Sequence, residues 1–581
     1  MNSAVKRSKM QDSESLISKP KHHGLSWLLW LFCICALFYN LGGAALFEPD
    51  EGRNAEKARE ILLLDDWVTP HENFVPVLDK PIFYYWLVAF SFTIFGISEW
   101  SARLPSVLAA IGSIAVVYRF SRIQLGRWES LWSPLVLVTA LEFFLLSRIV
   151  ILDMTLTFFV TVALYSFYFA ANAESESARK FHCLLMYVAL AIGTLVKGLI
   201  GLILPGMVYF FYLLFAQKWS VLKKMYLVPG ALIYISVVAP WYLWNNHRNP
   251  GYLRYYFWDE HFVRYLTEEF NRSEKWYYFL LVLGVGFLPW TLLSPLSVRH
   301  LFKNFDDKNL FLTLWASLPV LFFSLSASKL PHYILPTFPA LAMITARAVV
   351  DTHDRAPVKR LWLMYLPLFF SGIMTWYFVA GAVSARLLPR EIRTAVGENE
   401  WFVVTCAALL LILCGAQLFA NIKGYGKSRS AIYLSNSAGL AILFILMGQL
   451  MARAAPDRSA KSLARASAGY VTPESQVVFY DTYRTGLIYY LRLNRPIWVV
   501  SRRGKSNLLG SPYVSMYLPD PVPGYGKVLY DFDAFRDAWR KSKKPLLVFL
   551  KAKHLARFEG QVGVNVRELA KLNDFILVAE Q

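Results

Sequence analysis

The chain is short of charge. Only 17% of its 581 residues are Asp, Glu, Lys or Arg, while 56% are hydrophobic, a balance too apolar for an ordinary water-soluble fold. Cysteine is scarce as well. All five, Cys33, Cys35, Cys183, Cys406 and Cys414, fall inside apolar runs, so neither a disulfide framework nor a zinc knuckle is indicated. Internal repeats and low-complexity tracts are lacking, which argues against the repeat architecture common among transporters. Acidic residues number 40 against 60 basic ones, a formal net charge of +20. In so apolar a chain that excess reads as topogenic loop charge or as a site for anionic lipid and phosphate, with no nucleic-acid partner implied.

What the sequence does contain is a succession of apolar runs from Trp27 almost to Met451, each near the roughly 17 to 25 residues that cross a bilayer as a helix. Thirteen spans are expected, at about 25–44, 101–120, 130–147, 154–172, 181–196, 199–216, 227–246, 277–298, 309–326, 333–350, 361–383, 402–421 and 431–451. The first follows Lys6, Arg7, Lys9, Lys19 and Lys21. It is too long, and lacks the small-residue cleavage site, for a removable leader, so residues 1–24 read as a cytoplasmic basic tail.

The apolar segment from Ile82 to Gly96 is assigned by charge. Laid along the membrane surface, it leaves Arg119, Arg122 and Arg127 in the cytoplasm. Lys218, Lys223 and Lys224 then fall on the same side, as do Arg299, Lys303 and Lys308, then Arg355, Lys359 and Arg360, and finally Lys423, Lys427 and Arg429. Five successive loops obey the positive-inside rule this way. The extracytoplasmic parts are then 45–100, 148–153, the Lys197 turn, 247–276, 327–332, 384–401 and everything after 452. Strand-like runs at Gln476 to Tyr480, Pro496 to Val500 and Pro545 to Leu550, with a helical pattern near Asp531 to Lys541, predict a small α/β domain over 453–581.

The unusual polar residues gather on that outer side. Phe47-Glu48-Pro49-Asp50-Glu51-Gly52-Arg53-Asn54 follows the first span, and Asp153 sits in a very short turn between two others. Helix capping explains Pro49 and its acids in the simplest way, and Asp153 alone can mark an interface. Together, however, two carboxylates at one membrane face can orient a nucleophile, bind a metal or stabilise charge at a sugar carbon. Arg53, Lys80, Lys197 and Lys329 lie on the same side, against the positive-inside trend, and suit a lipid phosphate. Tyr84, Tyr85 and Trp86, with Tyr252, Tyr255, Tyr256, Phe257 and Trp258 before His261, read mainly as an interfacial belt, a minority framing a sugar or prenyl groove. His261 with Asp79 or a neighbouring acid is a candidate metal site.

These segments resemble the aminoarabinose lipid A transferases within the protein O-mannosyltransferase-like membrane glycosyltransferases of the C type. The resemblance runs from about Trp27 to Met451 and rests on Glu48-Pro49-Asp50-Glu51-Gly52-Arg53, Asp79-Lys80-Pro81, Leu152-Asp153 and Lys329-Leu330-Pro331-His332-Tyr333, with Lys197-Gly198 and Glu260-His261 between them. It implies an all-α polytopic membrane domain over 25–452 with catalytic outer loops, followed by the α/β domain. It implies Asp50 as the principal catalytic carboxylate, Asp153 assisting, and Arg53, Lys80, Lys197 and Lys329 on the carrier phosphate. Glu51, Tyr84, Tyr85, His332, Tyr333 and Asp481 would frame the substrate cavity, Asp481 coming from a segment that closes over the site.

The implied activity moves a sugar from an undecaprenyl-phosphate carrier to lipid A, with another glycan or a protein hydroxyl as alternative acceptors, in the inner membrane of a bacterium. No cofactor is required, and a divalent metal such as zinc at Asp79 and His261 is the one candidate. The family commonly has Glu where Asp79 stands, which sets this chain apart at the metal site, and Tyr where Asn54 stands, which leaves sugar and acceptor preference open. A lipid-linked sugar flippase would place charges at mid-membrane and on both faces. A scaffold would leave the clustered charges without a role.

Overall fold

The computed structural model describes residues 23–266, 274–355, 363–383, 400–422, 428–455, 459–501, 513–514, 521–572 and 574–580. Most of the expected basic tail, together with Lys359, Arg360, Lys423, Lys427 and much of the expected loop at 384–401, lies outside them. Among the described residues nine helices are long and apolar enough to cross a membrane, and up to eleven if each of two bent pairs is one span. The protein is multi-pass. Several helices present apolar side chains outward: on Leu227–Arg248, Val228, Leu232 and Ile235 are 73%, 64% and 55% exposed, an arrangement suited to lipid rather than water.

Two expected straight spans are broken. Residues 130–147 form Glu129–Val138 and Leu141–Ser147, bent by 65°, and 277–298 fall within Tyr278–Gly286 and Trp290–Lys303, bent by 102°. A break inside the bundle frees backbone groups that need partners. The two breaks supply one another: Leu141 N–H donates to the Leu288 carbonyl at 2.9 Å, and Trp290 Nε1 donates to Thr139 Oγ1 at 2.9 Å.

The first helix, His23–Phe38, is shorter than its apolar run. Arg148 explains where it stops, because its guanidinium takes the carbonyls of Ala36 and Leu37 at 2.8 and 2.9 Å, and that of Tyr39, the acceptors a helix end leaves open. Phe83–Phe95 is a helix of 13 residues, about 20 Å long at 1.5 Å per residue.

Beyond the helix Arg429–Ala454 the chain builds one six-stranded sheet. Its strands are β3 (Gln476–Tyr480), β4 (Trp498–Val500), β5 (Leu529–Tyr530), β6 (Leu546–Lys551), β7 (Val566–Leu572) and β8 (Phe575–Glu580), numbered after the short hairpin β1 (His71–Glu72) and β2 (Val75–Pro76). The order is β5-β4-β3-β6-β8-β7, parallel from β5 to β6, with β8 and β7 antiparallel. Alternation decides its two faces. Val477, Phe479, Leu547 and Phe549 pack with Leu463 and Leu487 of the helices Lys461–Ser467 and Gly486–Leu491. Val478, Tyr480, Val548 and Leu550 pack with Phe535, Trp539 and Phe558 of Phe532–Lys541 and Leu555–Val562.

Candidate active site

Pro49 precedes the helix Asp50–Leu64, and Asp50 and Glu51 occupy its first turn, the positive end of the helix dipole. This helix is rich in charge yet mostly buried, so its charges have to be paired. Glu51 is the hub. Arg103 grips it with two N–H groups, both at 2.8 Å, and the backbone N–H groups of Phe47 and Val150 each donate to it at 2.9 Å. The expectation that Glu51 lines the substrate cavity is thereby corrected, since all of its acceptor capacity is turned inward.

Arg53 Nε lies 3.2 Å from Glu72, and Lys57 Nζ 3.9 Å from the same carboxylate. Burial works against the Arg53 charge, but Glu72, Asp50 and Asp79 hold the guanidinium more firmly ionised than an ordinary arginine. Asp50 itself is exposed and makes no hydrogen bond or ion pair among the described residues. Its carboxylate is therefore available to a substrate, with Arg53 beside it.

A second group of charges closes around a cleft of about 90 Å³ lined by Lys80, Lys197, Glu260, His261, Arg264 and Tyr333, among others. Lys80 and Arg264 share Glu260. Lys197 pairs with Asp153, whose other oxygen lies 3.7 Å from His332 Nε2. Arg264 donates to the Tyr333 hydroxyl at 3.3 Å, and the Lys197 ammonium lies 4.7 Å from the centroid of the Tyr333 ring. Burial alone would raise the Glu260 carboxyl, and the two cations more than offset it, holding it below the usual range. Of the residues that line the cleft itself, Lys80, Lys197 and Arg264 outnumber the one carboxylate, Glu260, so its wall is net positive. Lys80 acts electrostatically on Asp153, and Asp79 acts on both Arg53 and Arg264, so the Asp50 group and the cleft belong to one charged network.

His261 has a different task from the metal role expected of it. Leu199 N–H donates to its Nε2 at 3.2 Å, and its Nδ1 sits 2.6 Å from the Tyr256 carbonyl, which places the proton on Nδ1. Gly198, at φ +90, packs so close that a Cβ there would lie 2.6 Å from His261 Nε2. The imidazole thus anchors the turn that carries Lys197. Asp79 accepts the Tyr255 hydroxyl at 2.7 Å, and among the described residues no group of three or more His, Cys, Asp or Glu is arranged to hold a metal. A zinc site on Asp79 and His261 does not fit these partners.

Other expected site residues are placed elsewhere. Lys329 Nζ is held by the carbonyls of Ser326 and Glu274 at 2.6 and 2.9 Å, a backbone clasp rather than a phosphate ligand. Tyr84 is wholly buried, its hydroxyl 3.1 Å from Ser106 Oγ, and Tyr85 is buried with the Lys57 ammonium 5.4 Å from its ring centroid. Neither lines the cleft. Asp481 lies 3.5 Å from Arg557 and 3.6 Å from His554, both of the C-terminal part, so it does not reach the cavity cations. Asn54 donates to the Val150 carbonyl at 2.9 Å, a buried structural contact.

Sequence reasoning gave no role to Arg264, Glu72 or Arg103, and considered the acids beside His261 only as metal ligands, not Glu260 as the partner of Lys80 and Arg264. The four-residue spacing of Glu260 and Arg264 was the available signal. Glu72 and Arg103 carried none that separates them from other charges.

Residues 79–244 match the dolichyl-phosphate-mannose-protein mannosyltransferase family. The undecaprenyl phosphate-α-4-amino-4-deoxy-L-arabinose arabinosyl transferase of Pseudomonas paraeruginosa is 33% identical over 404 residues, 68% of this chain and 71% of that protein. The Aeromonas hydrophila protein of the same name is 32% identical over 58% of this chain and 63% of its own length. Among solved structures, ArnT from Cupriavidus metallidurans bound to undecaprenyl phosphate superposes with a TM-score of 0.81 at 25% identity, covering 96% of this chain and 98% of that one. Its apo state gives 0.79. Fold, charged cleft and these likenesses define a polytopic membrane glycosyltransferase that uses a polyprenyl-phosphate-linked sugar. The chain belongs to the undecaprenyl phosphate-aminoarabinose arabinosyl transferase family.

Proposed function

We propose that the protein transfers 4-amino-4-deoxy-L-arabinose from undecaprenyl phosphate to a phosphate of lipid A. The bond from sugar C1 to the carrier phosphate breaks, a bond from C1 to the acceptor oxygen forms, and undecaprenyl phosphate leaves with the electron pair. Charge of both signs develops at C1 and on the departing phosphate, and preorganised groups of opposite sign lower that barrier. Lys80, Lys197 and Arg264 neutralise the leaving phosphate, with Arg53 steering it at the mouth. Asp50 faces the developing positive charge of the sugar. Asp153 holds Lys197, and His332 and Tyr333 frame the phosphate. An acceptor phosphate is already ionised, so no strong general base is required.

The observation that carries the reading is the net positive wall of Lys80, Lys197 and Arg264 in one network with Asp50, which is unpaired among the described residues. The same reading puts the protein in the inner membrane of a bacterium, with the first helix entering from a cytoplasmic tail at 1–24. Thirteen crossings result if the short helices His23–Phe38 and Ile200–Phe215 span and Phe83–Phe95 lies at the surface. The membrane domain is then 25–452 and the sheet domain, 453–581, is periplasmic. Mass spectrometry of lipid A from cells with and without the gene tests the function: aminoarabinose-bearing species should depend on the gene, and an unchanged lipid A profile would exclude this acceptor.

A further inference from the structure

A second cavity among the described residues opens away from the charged cleft. Its volume is about 890 Å³, and it lies between the helices Glu99–Phe120, Leu152–Ala171 and Glu176–Lys197. All three helices have one end at the catalytic side, and the cavity runs from near their other ends back toward it, as far as Phe158 and Ala189. Arg103 meets Glu51, whereas Arg119, which lines the cavity, comes sixteen residues later, about 24 Å along the helix. Asp153 and Tyr165 are about 18 Å apart along their helix, and Lys197 and Ser177 about 30 Å along theirs.

The lining is divided. Phe159, Val162, Leu185 and Val188 make an apolar floor, while Arg119, Ser175, Ser177 and His182 sit on the side where the helix Glu176–Lys197 starts. Arg119 donates to the Tyr165 hydroxyl at 2.9 Å, and no carboxylate pairs with it among the described residues. The nearby Glu176 is occupied by Arg179. His182 Nδ1 is buried without a hydrogen-bond partner among the described residues. The positive end of a 22-residue helix adds to the same corner. An apolar chamber between candidate spanning helices, with a guanidinium that no carboxylate neutralises among the described residues and the hydroxyls of Ser175 and Ser177 at the same end, matches a molecule with a hydrocarbon tail and an anionic phosphate head.

We infer that this cavity is a binding site for an anionic glycerophospholipid, distinct from the carrier-lipid cleft, with an acyl chain on the floor and the headgroup phosphate at Arg119. The site takes a lipid of the opposite leaflet from the one that supplies the donor sugar.

Native mass spectrometry of the full-length protein in detergent, titrated with phosphatidylglycerol, phosphatidylcholine or undecaprenyl phosphate, tests this directly. Wild type should retain one phosphatidylglycerol in preference to phosphatidylcholine. Arg119→Ala should lower that retention by about tenfold, the worth of one charge-assisted contact, and Val162→Trp should abolish it by filling the floor. Arg119 is exposed, so its variant remains informative should Val162→Trp fail to fold. Lys80→Ala should lose undecaprenyl phosphate and keep phosphatidylglycerol, which separates this site from the proposed catalytic one. Equal retention of phosphatidylglycerol and phosphatidylcholine by wild type would overturn the inference, as would equal retention by wild type and Arg119→Ala, or displacement of phosphatidylglycerol by undecaprenyl phosphate.

Discussion

Glu48 Oε1 accepts the backbone N–H of Gly486 at 2.7 Å, across 438 positions of sequence. The other carboxylate oxygen accepts the Thr485 hydroxyl at 2.8 Å, and Gly52 packs so closely that a Cβ there would lie 2.9 Å from the Gly486 backbone. The segment bearing Asp50 and Arg53 is therefore clasped by the C-terminal sheet domain. Asn73 strengthens the clasp by exchanging hydrogen bonds of 2.8 and 2.7 Å with the Ile497 backbone.

Glu48→Ala leaves the buried Gly486 N–H without an acceptor, at a cost of about 1 to 3 kcal/mol. The variant should release the C-terminal domain to limited proteolysis faster than wild type and lower kcat. Glu48→Gln, which keeps an acceptor oxygen, should recover part of both. Wild-type proteolysis rates in Glu48→Ala would remove the clasp from the account.

Single replacement of Lys80, Lys197 or Arg264 by Ala removes a charge-assisted contact worth about 1.5 to 3 kcal/mol, so undecaprenyl phosphate should bind each variant about ten- to a hundredfold more weakly. Lys329→Ala, whose ammonium serves carbonyls instead, should change thermal stability more than carrier affinity. Titration of each purified variant with the carrier lipid separates the two behaviours.

Glu51 and Arg103 are both about 2% exposed at the side chain. Removing one partner of such a buried pair costs about 3 to 5 kcal/mol. Arg103→Met should therefore appear as lost expression or a lowered Tm in detergent, not as a folded protein with selectively impaired transfer. A stable, fully folded Arg103→Met protein would contradict the structural role.

Burial lowers the pKa of His261 from its ordinary value of 6.5. Below pH 6.5 the unfolded chain takes up a proton that the folded imidazole resists, so stability is lost as pH falls from 6.5 toward the depressed value. Protonation also removes the Nε2 lone pair that receives Leu199 N–H. The Tm of wild type should fall over this interval, and His261→Gln, which offers an acceptor without titrating there, should show a shallower dependence. Identical slopes would exclude His261 as the group responsible.

Runs of apolar residues were sufficient to read a multi-helix membrane bundle, and the β-branched and aromatic run at Gln476 to Tyr480 sufficed for a buried strand, because both patterns are local. The bends near Thr139 and Pro289 were not legible, since each is held by groups of the other, one backbone pair and one side-chain pair. Three strands were not read: β5 is only two residues long, β7 is partly buried with no clean alternation, and β8 is a buried apolar run that the sequence reading passed over. Among site residues, the Lys197-Gly198 turn was found for its cation, but the reason for its glycine is the approach of His261. Glu51 was misplaced because a charged residue beside a functional motif looks the same in sequence whether it faces substrate or a buried arginine. Lys329 was assigned to phosphate for the same reason, since the carbonyls that hold it leave no mark in the residue pattern.

The central claim is that Asp50 serves a transfer reaction and nothing structural. Purified wild type and Asp50→Asn, incubated with undecaprenyl phosphate-linked aminoarabinose and lipid A, give the direct test, with glycosylated lipid A and released undecaprenyl phosphate both measured. Wild type should form the two products in equal amounts, and Asp50→Asn should form neither while keeping the wild-type Tm and carrier affinity. Normal turnover by Asp50→Asn would contradict the account.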